Sequence, residues 1–164
     1  MSPSRHTVER HSAGLLLFRR ASDEGIEVMI AHMGGPFWAN KDGGGWSIPK
    51  GEYEPGEEPL VAARREFLEE LGREAPSAEF IDLGEVRQPS GKRIRAWAVE
   101  ADLDVSHITS NTFEMEWPRG SRRTERFPEI DAAAWFDLDT ARTKLVKGQV
   151  PFIDLLIDRL GRST

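Results

Sequence analysis

The chain has 164 residues, a net charge of −6 and no cysteine. One domain with a sizeable core is expected at this length, and disulfides, thiolate zinc sites and cysteine nucleophiles are excluded. The acidic balance argues against a nucleic-acid partner, and no stretch approaches the roughly 20 apolar residues of a membrane span.

Residues 1–10 form a polar lead without the apolar core of a signal peptide, so a cytoplasmic protein is expected. The domain is placed at 11–161. Ala13 to Phe18 is an apolar run suited to a buried strand. Asp23-Glu24-Gly25 signals a turn, and the alternation of Ile26, Val28 and Ile30 predicts a second strand to Met33, pairing with the first as a hairpin. Residues 34–45 hold five glycines and make a long loop of the kind that carries function. Pro59 opens a helix and Gly72 closes it after Leu71. Phe80 to Val86 and Ile94 to Ala101 are strands around a Pro89-Ser90-Gly91 turn. Residues 102–130 are expected to be irregular. Ala134 to Leu138 is a last short strand, followed by a helix capped by Asp139 or Thr140, running to Lys147 and stopped by Gly148. A final helix runs from Pro151 to Leu160. Strands on both sides of a central helix, without regular βα alternation, give an α/β fold with a mixed sheet between helices.

On the central helix, Leu60, Val61, Phe67, Leu68 and Leu71 fall in one arc and are the expected core face. Glu66, Glu69 and Glu70 lie at i, i+3 and i+4 on another side. Such a stripe costs a helix about 0.2–0.5 kcal/mol per like-charged pair, and Glu69 and Glu70 also oppose the dipole in the last turn. Arg65 offsets part of this by reaching Glu69. A solvated acidic face is one reading of the stripe. A seat for a hard divalent cation is the other, because such ions take oxygen ligands.

Gly51, Glu57, Arg65, Glu66, Phe67, Glu69, Glu70 and Gly72 stand at the spacings of the Nudix box, which this segment resembles at every fixed position. Arg73 departs from the aliphatic residue usual after the last glycine. The resemblance implies the Nudix fold, a mixed sheet between helices. It also implies Mg²⁺-dependent hydrolysis of a phosphoanhydride bond in a nucleoside diphosphate linked to another group, with Mn²⁺ as a substitute ion. It assigns Glu66, Glu69 and Glu70, with the Gly51 carbonyl, to the metal. Glu66, Arg65 and Glu69 are then the catalytic set, and Glu57 and Gly72 are structural. The general base is left among Glu66, Glu114, Glu116, Glu125 and Glu129.

Trp46-Ser47-Ile48-Pro49-Lys50-Gly51 is similar to a run found before the box in Nudix hydrolases of dinucleoside polyphosphates and of oxidised nucleotides. Trp46 and Lys50 are substrate-binding candidates on that ground, with Arg87 and Lys92, and then Arg93 and Arg95, for further phosphates. Phe37, Trp38 and Lys41 are placed over the substrate. Arg119, Arg122, Arg123 and Arg126 read as a solvated basic cluster. A dinucleoside polyphosphate is the first substrate reading. ADP-ribose, an oxidised nucleotide, and a non-catalytic nucleotide sensor are the alternatives. Dimers are frequent among such proteins, so a homodimer is one expected state.

Overall fold

A computed structural model describes residues 10–21, 25–76 and 78–161. Strands β1 (His11–Arg20) and β2 (Ile26–Met33) form the expected antiparallel pair. The turn placed at residues 23–25 lies largely outside the described residues, as does most of the lead. Short strands β3 (Trp46–Ser47) and β4 (Lys50–Glu52) precede helix α1 (Pro59–Leu71). Then come β5 (Phe80–Arg87), β6 (Arg93–Glu100), β7 (Thr112–Glu116), β8 (Thr124–Pro128), β9 (Ile130–Asp137), α2 (Leu138–Lys144) and α3 (Pro151–Gly161).

Seven strands make one mixed sheet in the order β3-β2-β1-β6-β5, with β4 on β1 and β9 on β2. Only the central β1–β6 pair is parallel among the described strands. Both faces of β1 are buried, which is why it reads as a continuous apolar run. Ala13, Leu15 and Leu17 pack under α1 with Phe67 and Leu71, whereas Leu16 and Phe18 pack against Ala141, Phe152 and Leu156 of α2 and α3. The α/β/α sandwich is as expected. Among the described residues no helix is long and apolar enough to cross a membrane.

Three expectations are corrected. The segment 102–130 is not irregular throughout, because β7 and β8 form a separate hairpin within it. Their alternation is short and half polar, with Phe113, Met115 and Phe127 turned inward and the charges outward, so composition hides it. Helix α2 is capped by Asp137, whose carboxylate accepts from the Thr140 N–H at 2.7 Å. It ends at Lys144, and Gly148 belongs to a separate 3-10 turn at Lys147–Gln149.

The third correction concerns α1. Its buried residues are Ala62, Ala63, Phe67, Glu70 and Leu71, while Val61 and Leu68 are 53% and 43% exposed. The helix is rotated from the arc that hydrophobicity favours. Small alanines let it approach the sheet closely, and Arg64 then faces outward over the Phe80 ring. The rotation turns Glu70 into the interior.

Candidate active site

Helix α1 carries the acidic stripe and is anchored at both ends. Pro59 takes the first turn, and Gly72 ends the helix in the left-handed region at φ 74°, donating its N–H to the Leu68 carbonyl. Two of the last carbonyls find partners beyond the helix. Thr109 N–H donates to Leu71 at 3.2 Å and Asn111 N–H to Glu69 at 2.8 Å. The Asn111 carbonyl in turn accepts from the Glu129 N–H at 2.8 Å. The end of the helix therefore fixes the position of Glu129, which is distant in sequence.

Arg65 organises the first half of the stripe. Its Nε and Nη2 donate to Glu57 at 3.0 and 3.1 Å, and its Nη1 donates to Glu66 at 2.7 Å and Glu69 at 2.8 Å. Glu57 thus ties the loop before the helix to the helix itself, and the guanidinium holds its carboxyl below the usual range. Glu70 is the opposite case. It is 8% exposed, and its nearest donor is the Lys50 backbone N–H at 3.3 Å. Burial pushes its pKa up to about 8, against the pull of Lys50 and with the added repulsion of Glu129 and Glu66. Burial and the charges of Glu69 and Glu129 also raise Glu66, although Arg65 opposes this. Burial and Glu69 raise Glu129.

Glu66, Glu69, Glu70 and Glu129 therefore repel one another around a common region. The arrangement has a measurable consequence in the metal-free protein. Glu70 has a folded pKa of about 8 against an ordinary 4.5. Its contribution to stability is fully present below the unfolded value and is lost as pH rises through the folded one. In chelator, Glu70→Gln is expected to melt above the parent protein, by a margin that widens from about pH 5 to about pH 9. A margin that is constant or shrinks over that range in calorimetry contradicts the burial of an ionising Glu70.

The donor set suits a hard cation. All four groups are carboxylates, and ionising them together requires a compensating positive charge. Gly51 adds a physical reason for its own identity. A Cβ there would lie 1.9 Å from Glu66 Oε1, so only glycine lets the strand backbone, with its carbonyl, approach that carboxylate. Among the described residues no three acidic or histidine groups are drawn together at ligating distance. Arg65 accounts for this by holding Glu66 and Glu69 to itself.

Beside the carboxylates lies a cleft of about 450 Å³. Its floor includes Ser47, Lys50, Glu70, Glu129 and Ile130; the loop after β2 supplies Gly34, Gly35, Pro36, Phe37 and Trp38; and β7 supplies Phe113 and Met115. Apolar rings thus face a charged end that holds one lysine. The loop is held by His32, whose ring nitrogens lie 2.8 Å from Asp131 and 2.8 Å from the Lys41 carbonyl.

The structure brings together Gly51, Glu57, Arg65, Glu66, Glu69, Glu70 and Lys50. Phe37 and Trp38 line the cleft, and the Lys41 ammonium sits over both rings. Of the base candidates outside the helix, Glu129 lines the cleft. Glu114 and Glu116 project from the other face of β7, and Glu125 is exposed on β8. Trp46 is 7% exposed and packs edge-on against His32 and Phe136, away from the cleft lining. Arg87 is exposed at the end of β5. Lys92 lies close enough to feel Lys50 and pairs loosely with Glu52 at 3.7 Å. Arg93 and Arg95 pair across strands with Glu85 and Asp82. Asn111, Phe113, Met115 and Ser47 were not anticipated as site residues. The alternation of Phe113 and Met115 was the signal for two of them.

A family model described as the NUDIX domain matches residues 8–156. The chain is 31% identical over 151 residues to an 8-oxo-(d)GTP phosphatase of Mycolicibacterium smegmatis. That match covers 87% of this chain and 38% of the relative, so the chain spans well under half of that protein's length. It is 30% identical over 135 residues to an RNA pyrophosphohydrolase of Rhizobium meliloti, covering 67% of this chain and 75% of that one. Among solved structures, a C. elegans Ap4A hydrolase in a binary complex superposes with a TM-score of 0.64 at 18% identity, covering 92% of this chain and 98% of that one.

Proposed function

This chain belongs to the Nudix family of pyrophosphohydrolases, and from that premise we propose Mg²⁺-dependent cleavage of a phosphoanhydride bond in a nucleoside diphosphate linked to another group. Nudix hydrolases generally use divalent metals, and Mn²⁺ is expected to replace Mg²⁺ here. The observation that supports the reading is that Glu66, Glu69, Glu70 and Glu129 lie near enough to perturb one another, with Glu70 and Glu129 lining an aromatic-walled cleft beside Lys50.

Glu66, Glu69 and Glu70, with the Gly51 carbonyl, would hold the ion. When bound, it supplies positive charge to the phosphates and lowers the pKa of attacking water. The protein does the rest. Arg65 sets the rotamers of Glu66 and Glu69 through its two Nη1 hydrogen bonds. Lys50 places an ammonium at the cleft floor, where a phosphate oxygen meets it. Phe37, Trp38 and Phe113 offer faces to a nucleobase and exclude water from one side. Glu129, raised above its ordinary pKa by burial and by Glu69 and seated by Asn111, would take a proton from water. Glu66 is the second candidate for that role.

The first substrate reading is a dinucleoside polyphosphate or a related nucleotide, supported by the likeness of residues 46–51 to the run found before the box in hydrolases of dinucleoside polyphosphates. An oxidised purine nucleotide is the second reading, supported by the likeness to the 8-oxo-(d)GTP phosphatase over 87% of the chain. A panel of diadenosine polyphosphates, ADP-ribose, nucleotide sugars, and normal and oxidised nucleoside triphosphates separates them. The proposal expects cleavage between phosphorus atoms in at least one member, with a nucleoside phosphate among the products. Failure across the panel, by a protein that binds those nucleotides, favours the sensor alternative.

A further inference from the structure

The β7–β8 hairpin does more than line the cleft. Phe113 and Met115 face the cleft, and the hairpin continues past them. One strand residue, Glu116, separates Met115 from a tip that reads Trp117-Pro118-Arg119-Gly120-Ser121-Arg122-Arg123. This tip holds three arginines and no acid, on a chain whose net charge is −6. All three arginines are exposed, and Trp117 is 36% exposed. Phe37, at the cleft mouth, is 59% exposed.

The tip is a shaped turn. Trp117 N–H donates to the Arg123 carbonyl at 2.9 Å and Ser121 N–H to the Pro118 carbonyl at 3.0 Å. Arg122 sits at φ 62° and donates its N–H to Glu116 Oε2 at 2.8 Å. A non-glycine residue in the left-handed region costs about 1 kcal/mol or more, and such strain gathers at functional positions. Of the three acids of the hairpin strands, Glu116 accepts from that backbone N–H, Glu114 meets Arg126, and Glu125 is exposed on β8. The three tip arginines are exposed on the same turn as the part-exposed ring of Trp117. Exposed guanidinium groups with an aromatic face suit a single-stranded polynucleotide, which offers phosphates and bases along one strand.

Resting on the reading that the cleft takes a nucleotide, we propose that the β7–β8 tip binds a single-stranded nucleic acid whose 5′-phosphorylated end enters the cleft. Arg119, Arg122 and Arg123 engage the phosphates downstream, and Trp117 stacks on a base. The net charge of −6 does not describe this surface, because much of the acid is concentrated on α1 and the loop before it.

The test compares a 5′-triphosphorylated ten-nucleotide RNA with a free nucleoside triphosphate, in wild type and in Arg119→Gln/Arg122→Asn/Arg123→Gln. Asparagine is chosen at 122 because it tolerates the left-handed backbone. Wild type is expected to favour the RNA. The triple variant should lower kcat/KM for RNA about tenfold or more through KM, and change the mononucleotide less than twofold. Raising salt should weaken RNA binding more steeply in wild type than in the variant. Arg119→Glu alone should give a smaller loss of the same kind. Equal use of both substrates by wild type, or equal loss on both in the variant, overturns the proposal. Should neither be cleaved, cleavage of these two substrates fails by itself, and the panel above decides the hydrolase reading. RNA binding measured by fluorescence anisotropy then decides the hairpin, with loss in the triple variant supporting it and unchanged or absent binding overturning it.

Discussion

Replacing Glu66 with Gln is expected to lower kcat by about 10²–10⁴-fold, the range for removing a group that works on the reacting centre, while leaving the fold intact. Glu66 stands between the Arg65 guanidinium, at 2.7 Å, and the close-approaching Gly51 backbone. The amide keeps the shape and removes one negative charge. Stability should change little, because burial already holds the Glu66 carboxyl above its ordinary pKa and neutralising it relieves repulsion from Glu69 and Glu129. Steady-state kinetics at saturating cation, paired with a thermal melt, separates the two effects. A variant that keeps kcat within about threefold removes Glu66 from the catalytic machinery, and a collapsed melt would make its role structural.

The largest expected stability effect lies one residue away. Phe67 is fully buried and packs with Ala13, Leu15, Leu17 and Met29 beneath α1. Phe67→Ala should cost about 3–5 kcal/mol, the sum of lost transfer energy and an unfilled cavity. That corresponds to roughly 6–20 °C in Tm for a domain of this size. The matching change Leu68→Ala, at a position 43% exposed, should stay within about 1 kcal/mol. The contrast tests the orientation of α1 directly. Similar losses at both positions, measured by denaturant unfolding, would return the helix to the arc that hydrophobicity alone selects.

That arc shows where the sequence misleads. The length of α1, its proline start and its glycine stop are local properties, and they were legible to the residue. Its rotation was not, because close approach through Ala62 and Ala63 outweighs burial of Val61 and Leu68, and only the sheet beneath decides that. The same limit hid the second half of the site. Gly51, Arg65 and the stripe lie within one short segment whose spacing fixes their meeting. Glu129 arrives from far along the chain, seated by Asn111, and it shared its claim with Glu66, Glu114, Glu116 and Glu125 until β7 and β8 turned the last three away from the cleft lining. Trp46 shows a different limit. Its place beside a motif suggested substrate, but its indole packs between His32 and Phe136 and bonds Asp42 at 3.1 Å.

With the ion held by Glu66, Glu69 and Glu70 as proposed, phosphoanhydride cleavage depends on a divalent cation. The most direct measurement follows hydrolysis of the best panel substrate as Mg²⁺ is titrated into chelator-treated protein, with products resolved by chromatography. Expected are no cleavage without the ion, saturable activity as it is added, partial recovery with Mn²⁺, and a weaker apparent affinity in Glu70→Gln. Full activity in excess chelator, or an identical cation dependence in Glu70→Gln, would contradict it.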